Sequence, residues 1–349
     1  MALRVYLLKP LQALALRAPG DNTALAHGPA VASASLDQPF PTALAGALAS
    51  HARLAGLCSP SSCGADGFEN LRACLGKLLG GGFHLYTGPA LDEEGKVWLP
   101  TPSGYVEAGT LPRLLDALRR GDSRGYSELA ESHARRPSKR PRIGIALSPA
   151  SKTVRPGYLY SIEEHLPPRG LHQALIVDAP GAAKLPALLA TAIGGKRRLS
   201  LLAASERQPG SLEELLVHGG GCEEWLLYLA SPALLDKSPW SPGAPVRLTQ
   251  GAGRELARAL LGKQAGAAVE AVYVPKTRPG LEAIAPGWCT PEQRPRRPYL
   301  HVPAGTAIWV KGLSPGAAAA LARRGLGYAA ELGWGTVAAL CAPAGSHGS

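Results

Sequence analysis

Gly194-Gly195-Lys196-Arg197-Arg198 sets two glycines against three cations. Glycines lack a Cβ, so backbone N–H groups can approach a phosphate, and the cations supply counter-charge. The bland alternative is a glycine helix stop followed by a solvated edge. Lys276, Arg278, Arg294, Arg296 and Arg297 bracket a proline-rich segment in which Trp288 and Tyr299 are interleaved. Basic and aromatic residues on one extended segment suit a single-stranded RNA groove, or a protein-protein loop. Lys152, Thr153 and Arg155 lie in a loop that could reach the same groove. The run Ser132 to Arg142 (SHARRPSKRPR) is the densest in charge. Its prolines exclude a continuous helix, and it reads equally as a basic arm on phosphates or a solvated loop.

Catalytic signals are sparse. Metal-free RNA cleavage needs a general base, usually histidine, and His27 and His51 are candidates by position. The sequence has no H-x-x-x-H pair, P-loop or G-x-G-x-x-G Rossmann fingerprint, and Asp92, Glu93 and Glu94 read as a solvated turn. No cofactor, metal site or catalytic residue is expected. The six cysteines include no C-x-x-C pair and read as unpaired or structural, although a Cys58–Cys63 disulfide could form. A metal at Cys58, Cys63 and Cys74 would need a fourth ligand such as His51 or His84.

The 37 Lys+Arg against 26 Asp+Glu give a net charge of +11, which favours a polyanionic partner. Nucleic acid is preferred to membrane, because no basic amphipathic helix with an aromatic face and no membrane-length apolar run occurs. No signal peptide is seen, and the expected compartment is the cytoplasm. The 349 residues suffice for two domains.

The elements that would position these groups alternate in short units. Strands are expected at Leu3–Leu8, Phe83–Thr87, Lys96–Leu99, Ile143–Leu147, Leu171–Val177, Leu199–Ala204, Glu224–Ala230, Ala267–Val274 and Thr306–Val310. Helices are expected at Thr42–Leu54 (capped by Thr42), Glu69–Leu79 (stopped by Gly80 to Gly82), Leu111–Arg120, Ala183–Ile193, Gly251–Leu261 and Pro315–Arg324. Pro167, Pro168 and Gly170 suggest a domain boundary. Periodicity alone gives α+β or α/β.

The run PLQALALRAPG…HGPAVASASL…PFPTALAGALAS resembles the N-terminus of a RAMP-superfamily subunit of type III-B (Cmr) CRISPR effector complexes. That family holds the 5′ handle of the guide RNA. GGKRR, VYVPKTRPG (Val272–Gly280) and ELGWGT (Glu331–Thr336) follow in the family's order. The resemblance implies an α+β chain of two tandem ferredoxin-like (RRM-like) domains, residues 1–168 and 169–349, with long loop insertions and a glycine-rich C-terminal loop. It implies RNA contact by Arg17, in the family's arginine loop, with His27 the one histidine nearby, and by Gly333 and Gly335. Trp334 between them could stack on a base or belong to the core. The partners implied are the 5′ handle of the crRNA, the large polymerase/cyclase-like subunit and the adjacent backbone RAMP subunit. Two alternatives remain open: a repeat-cleaving endoribonuclease of the same superfamily, and the handle-binding subunit of type III-A complexes.

Overall fold

The computed structural model describes residues 2–16, 32–33, 36–59, 62–147, 150–151, 153–194, 198–220, 222–235, 252–261, 268–275, 282–284, 288–289, 292 and 294–342. Its first half comprises β1 (Ala2–Pro10), α1 (Pro41–Leu54), α2 (Glu69–Leu79), β2 (His84–Asp92), β3 (Val97–Thr101), β4 (Gly104–Glu107), α3 (Leu111–Arg119), α4 (Ser123–His133), β5 (Ser138–Leu147), β6 (Val154–Leu166), β7 (Leu171–Ala179), β8 (Leu188–Ile193) and β9 (Arg198–Ala204). The second half comprises β10 (Glu224–Leu229), α5 (Ala252–Leu261), β11 (Ala268–Tyr273), β12 (Ala307–Lys311), α6 (Pro315–Arg324) and β13 (Val337–Cys341), with shorter pieces between.

Two sheets carry the fold. The first has the order β4-β3-β2-β7-β1-β9-β8, and Leu332–Gly333 adds in parallel to β2. The second runs Val217–His218, β13, β10, β12, β11. The first sheet crosses the boundary expected at 168/169, because β7, β8 and β9 all belong to it. Prolines and a glycine at 167–170 therefore mark the turn that leads from β6, paired with β5 in a separate small sheet, into β7 of the first sheet.

Side-chain alternation along the strands sets the layers. Tyr6, Leu8, Leu175, Val177 and Leu202 face α1 and α2 in one core. Val5, Tyr86, Ala174 and Ile176 face the other way, against Leu226, Tyr228, Trp309, Ala338 and Leu340 of the second sheet. The second sheet's outer face (Trp225, Leu227, Ile308, Val310) packs on α5 and α6. The layers thus run helix, sheet, sheet, helix. Arg119, the last residue of α3, ties that helix to the second sheet by pairing with Glu224 at 2.8 Å and lying over Trp309.

Local chemistry explains most boundaries. α2 stops where Gly80 adopts φ +83° and donates to Gly76 O at 2.9 Å, a left-handed cap open to glycine. α1 starts at Pro41 itself, with no side-chain cap, so the proline takes the first helical position and Thr42 lies inside. The helix expected at Ala183–Ile193 is absent. A 3₁₀ turn (Ala182–Lys184) precedes strand β8. Pro186 cannot donate in a helix interior, and Leu189 and Ile193 go inward as a strand's alternation dictates. The charged run is also ordered: α4 ends at His133 and β5 begins at Ser138, with Pro141 on an edge strand that tolerates it.

All six cysteines are paired: Cys58–Cys74, Cys63–Cys289 and Cys222–Cys341. This corrects both the unpaired reading and the Cys58–Cys63 alternative. Their partners come from distant elements, which local spacing cannot show. None of the described helices is long and apolar enough to cross a membrane.

His165 yields a pH prediction. Burial, at 1% exposure, pulls its imidazole down to about 4. The unfolded chain takes up that proton near pH 6.5. Between those values the unfolded state binds more protons, so stability should fall as pH drops from about 6.5 towards 4 and this group adds nothing further below. Thermal melts from pH 7.5 to 4.5 should show that slope, and His165→Gln should flatten it. Parallel slopes for the two proteins would remove His165 from the account.

Candidate nucleic-acid interface

The β5–β6 hairpin builds a basic site around one carboxylate. Glu164 on β6 is 2% exposed. Arg198, at the start of β9, donates to its Oε1. Arg142 reaches the same oxygen at 3.2 Å, and Arg140 lies 3.5 Å from Oε2. Arg140 and Arg142 are two apart on one strand and so share a face. Their side chains are mostly exposed, whereas Arg198 is largely buried. Three guanidinium groups on one carboxylate leave two positive charges uncompensated, and Arg198 Nε has no hydrogen-bond partner. Arginine forks match phosphate oxygens bidentately, so the arrangement suits a polyanion backbone. Lys139 is less available, being paired with Asp37 at 2.8 Å.

Glu164 organises this site, and removing its charge tests that. Glu164→Gln should leave Arg198 buried without its counter-ion and lower stability by about 1–3 kcal/mol, less than a wholly buried pair because two of the arginines reach water. Urea unfolding measures it; an unchanged midpoint would show that the arginines do not depend on Glu164.

The glycine-rich turn is a second structure, of a different kind. Gly333 O accepts from Thr87 Oγ1 (3.0 Å), Ser231 Oγ (2.7 Å) and Thr336 Oγ1 (3.2 Å). Gly335 donates to Pro232 O at 2.7 Å and accepts from Leu326 N at 2.8 Å. Trp334 is fully buried and stacks on Phe40, just before α1, at 5.8 Å between ring centroids. Of the two roles open to Trp334, the structure gives it the core. Gly333 and Gly335 are buried as well, so their visible role is packing.

Beside this turn lies a cleft of about 630 Å³ between the C-terminal end of α5 and residues 325–331, with His84, Arg324 and Glu331 among its lining. Burial pulls His84 down to about 4, against the opposing pull of Glu331, so it is neutral at pH 7. Glu331 is held by Arg72 at 2.6 Å, which also pairs with Asp66.

The expected RNA-binding residues fare unequally. Arg17, His27, Lys152, Lys196, Arg197, Lys276 and Arg278 lie outside the described residues. Arg155 falls within β6. Arg198 joins the site at Glu164. Arg296 turns inward: it is 6% exposed, lies over Phe68 and is within 3.4 Å of Asn70 Oδ1, so it is not a free surface cation. Arg294 is paired with Glu292, and Tyr299 is buried with its hydroxyl on Asp66 O at 2.6 Å. Arg297 is exposed. Sequence reasoning missed Glu164 and left Arg140 and Arg142 undecided. Their i, i+2 spacing on a strand was the available signal, obscured by Pro141.

The fold resembles solved structures. A chain in the cryo-EM structure of the Type III-B Cmr-beta bound to cognate target RNA aligns with a TM-score of 0.56 and 19% identity, covering 88% of this chain and 86% of that one. The same complex with AMPPnP in state 1 gives a TM-score of 0.55 at 19% identity, with the same coverage. At that identity the likeness is one of fold. The class is therefore a mixed α/β protein with the fold of that Cmr-beta chain. The family model described as CRISPR-associated protein (Cas_Cmr3) matches residues 114–341, and the chain belongs to that family. No curated protein matches the sequence.

Proposed function

We propose that this chain is the non-catalytic subunit of a type III-B effector complex that holds the 5′ repeat-derived handle of the crRNA. On this reading it docks the large polymerase/cyclase-like subunit and the adjacent backbone RAMP subunit in the cytoplasm. Family membership supports the assignment to the complex. The observation that carries RNA binding is the cluster at Glu164, where Arg140, Arg142 and Arg198 converge on one carboxylate. Lys196 and Arg197 immediately precede Arg198 in the chain.

The strand orders support two ferredoxin-like units. β9-β1-β7-β2 and β13-β10-β12-β11 both follow the 4-1-3-2 pattern of a βαββαβ unit. In the first unit, the turn and strand at 182–193 stand where the second helix would be. We place the boundary between Ala204, the last residue of the first sheet's β9, and Val217, the first of the second sheet.

The test is crRNA binding across a salt series. Arg140→Ala/Arg142→Ala should weaken binding by about tenfold or more at low salt and reduce the slope of log K against log salt by about 1–2. These exposed substitutions should not shift the melting temperature by more than a degree or two. Wild-type affinity and slope in the double variant would remove the cluster from the RNA site. Cut repeat RNA in EDTA would favour the endoribonuclease instead.

A further inference from the structure

Among the described residues of the two main sheets, one apolar face stands exposed. The second sheet and α3 cover the first sheet's inner face at Val5, Tyr86, Ala174 and Ile176. The same face continues over β1, β9 and β8, where none of the described elements covers it. The register puts Leu7 opposite Ala203, Lys9 opposite Leu201, Ala203 opposite Leu188, Leu201 opposite Ala190 and Leu199 opposite Ala192. Directly paired residues share a face. Their neighbours Leu8, Leu189, Ile193 and Leu202 point the other way and are buried with α1 and α2. On the bare side Leu188 is 56% exposed and Leu199 54%, and Leu11, whose N–H bonds Leu199 O, is 61% exposed. Ala190 and Ala192 are exposed too. A sheet with one apolar face must bury it against another element, and a contiguous apolar patch of this kind marks an interaction site.

The composition of the face selects its occupant. It carries no aromatic ring, and a sheet face that reads single-stranded RNA does so by stacking bases on rings. It carries no carboxylate: residues 185–205 contain neither Asp nor Glu, nor do residues 2–16. Its charge is positive, from exposed Lys9 within the face. Two copies meeting through this face would bring lysine against lysine, which disfavours self-association. We propose that the bare face of β1, β9 and β8 is the seat of an amphipathic helix from another protein of the complex, with leucine-type side chains on the sheet and Asp or Glu facing Lys9. This rests on the reading of the chain as a complex subunit and is independent of where RNA binds.

The test uses the reconstituted complex. Leu188→Asp/Leu199→Asp should leave melting and crRNA binding at wild-type values while lowering incorporation into the complex at least tenfold. Leu188→Lys/Leu199→Lys should lower it less, because the partner is acidic. A photo-crosslinking residue at position 190 should capture an Asp- or Glu-bearing helix of another subunit. Wild-type assembly of the Asp variant overturns the proposal. So does a crosslink at position 190 to RNA, to a second copy of this chain or to no protein at all. Loss of RNA binding in the Arg140/Arg142 variant, or its retention, reports on the RNA site alone.

Discussion

Gly335→Ala is expected to destabilise the protein by more than about 3 kcal/mol. Gly335 has φ +62°, a region that alanine enters with strain. A Cβ there would sit 1.8 Å from Leu326 O, with Ala233 Cβ at 3.2 Å. Neither neighbour yields easily. Leu326 O belongs to the backbone, and Gly335 is itself fixed by its bonds to Leu326 N and Pro232 O. Accommodating the methyl would move the turn that seats Trp334 between α1 and the first sheet. The matched control is Gly316→Ala, in the first turn of α6, where a Cβ meets nothing within 4 Å and alanine is the better helix former. That variant should be neutral or slightly stabilising. Thermal melts separate the two. The comparison also bears on function: a Gly335→Ala protein that melts like wild type but loses crRNA would make this glycine a ligand contact and overturn the packing role.

The readability of the chain follows the range of its interactions. Elements fixed by near neighbours were legible: β1, α2 with its Gly80 stop, β10 and α6 all follow from periodicity and caps. That the chain mixes helices and strands was legible for the same reason. Pro186 gave the clue that Ala183–Ile193 is no helix, but the apolar run around it reads equally as a buried helix until the pairing with β9 is known. The cluster at Glu164 was less legible. Glu164 acquires its role from Arg140, Arg142 and Arg198, which lie 22 to 34 residues away. The sequence showed cations at 140, 142 and 198 but not that they converge. Arg296 shows the converse: a cation in a basic, proline-rich stretch is drawn inward because Phe68 offers it a ring and Asn70 an oxygen. Trp334 could not be assigned from its glycine neighbours, since burial by Phe40 is a tertiary fact.

Reduction of the disulfides is the second large effect expected, and Cys63–Cys289 should dominate it. That bond spans 226 residues, against 16 for Cys58–Cys74 and 119 for Cys222–Cys341. In the chain-entropy model a loop of that length corresponds to about 5 kcal/mol and the shortest to about 3 kcal/mol, and overlap among the three loops makes the sum smaller than its parts. The long bond also has local work. Glu292 accepts from Ser62 Oγ at 2.8 Å and from Cys63 N at 2.9 Å, so the cystine and this carboxylate pin the segment around 288–295 to the chain entering α2. Tyr299 and Arg296 then complete the contact on Phe68. Cys63→Ser/Cys289→Ser should therefore lower the melting temperature by on the order of 10 °C, more than Cys58→Ser/Cys74→Ser, and open protease cleavage near residues 288–299. Melts with and without reductant, after mass spectrometry confirms thiol release, decide the matter. Equal melting temperatures would mean that the packing of Phe68, Tyr299 and Arg296 holds this segment without the bond. A larger loss in the Cys58/Cys74 variant would place the weak point in the short loop, where α2 would fray before the long segment detached.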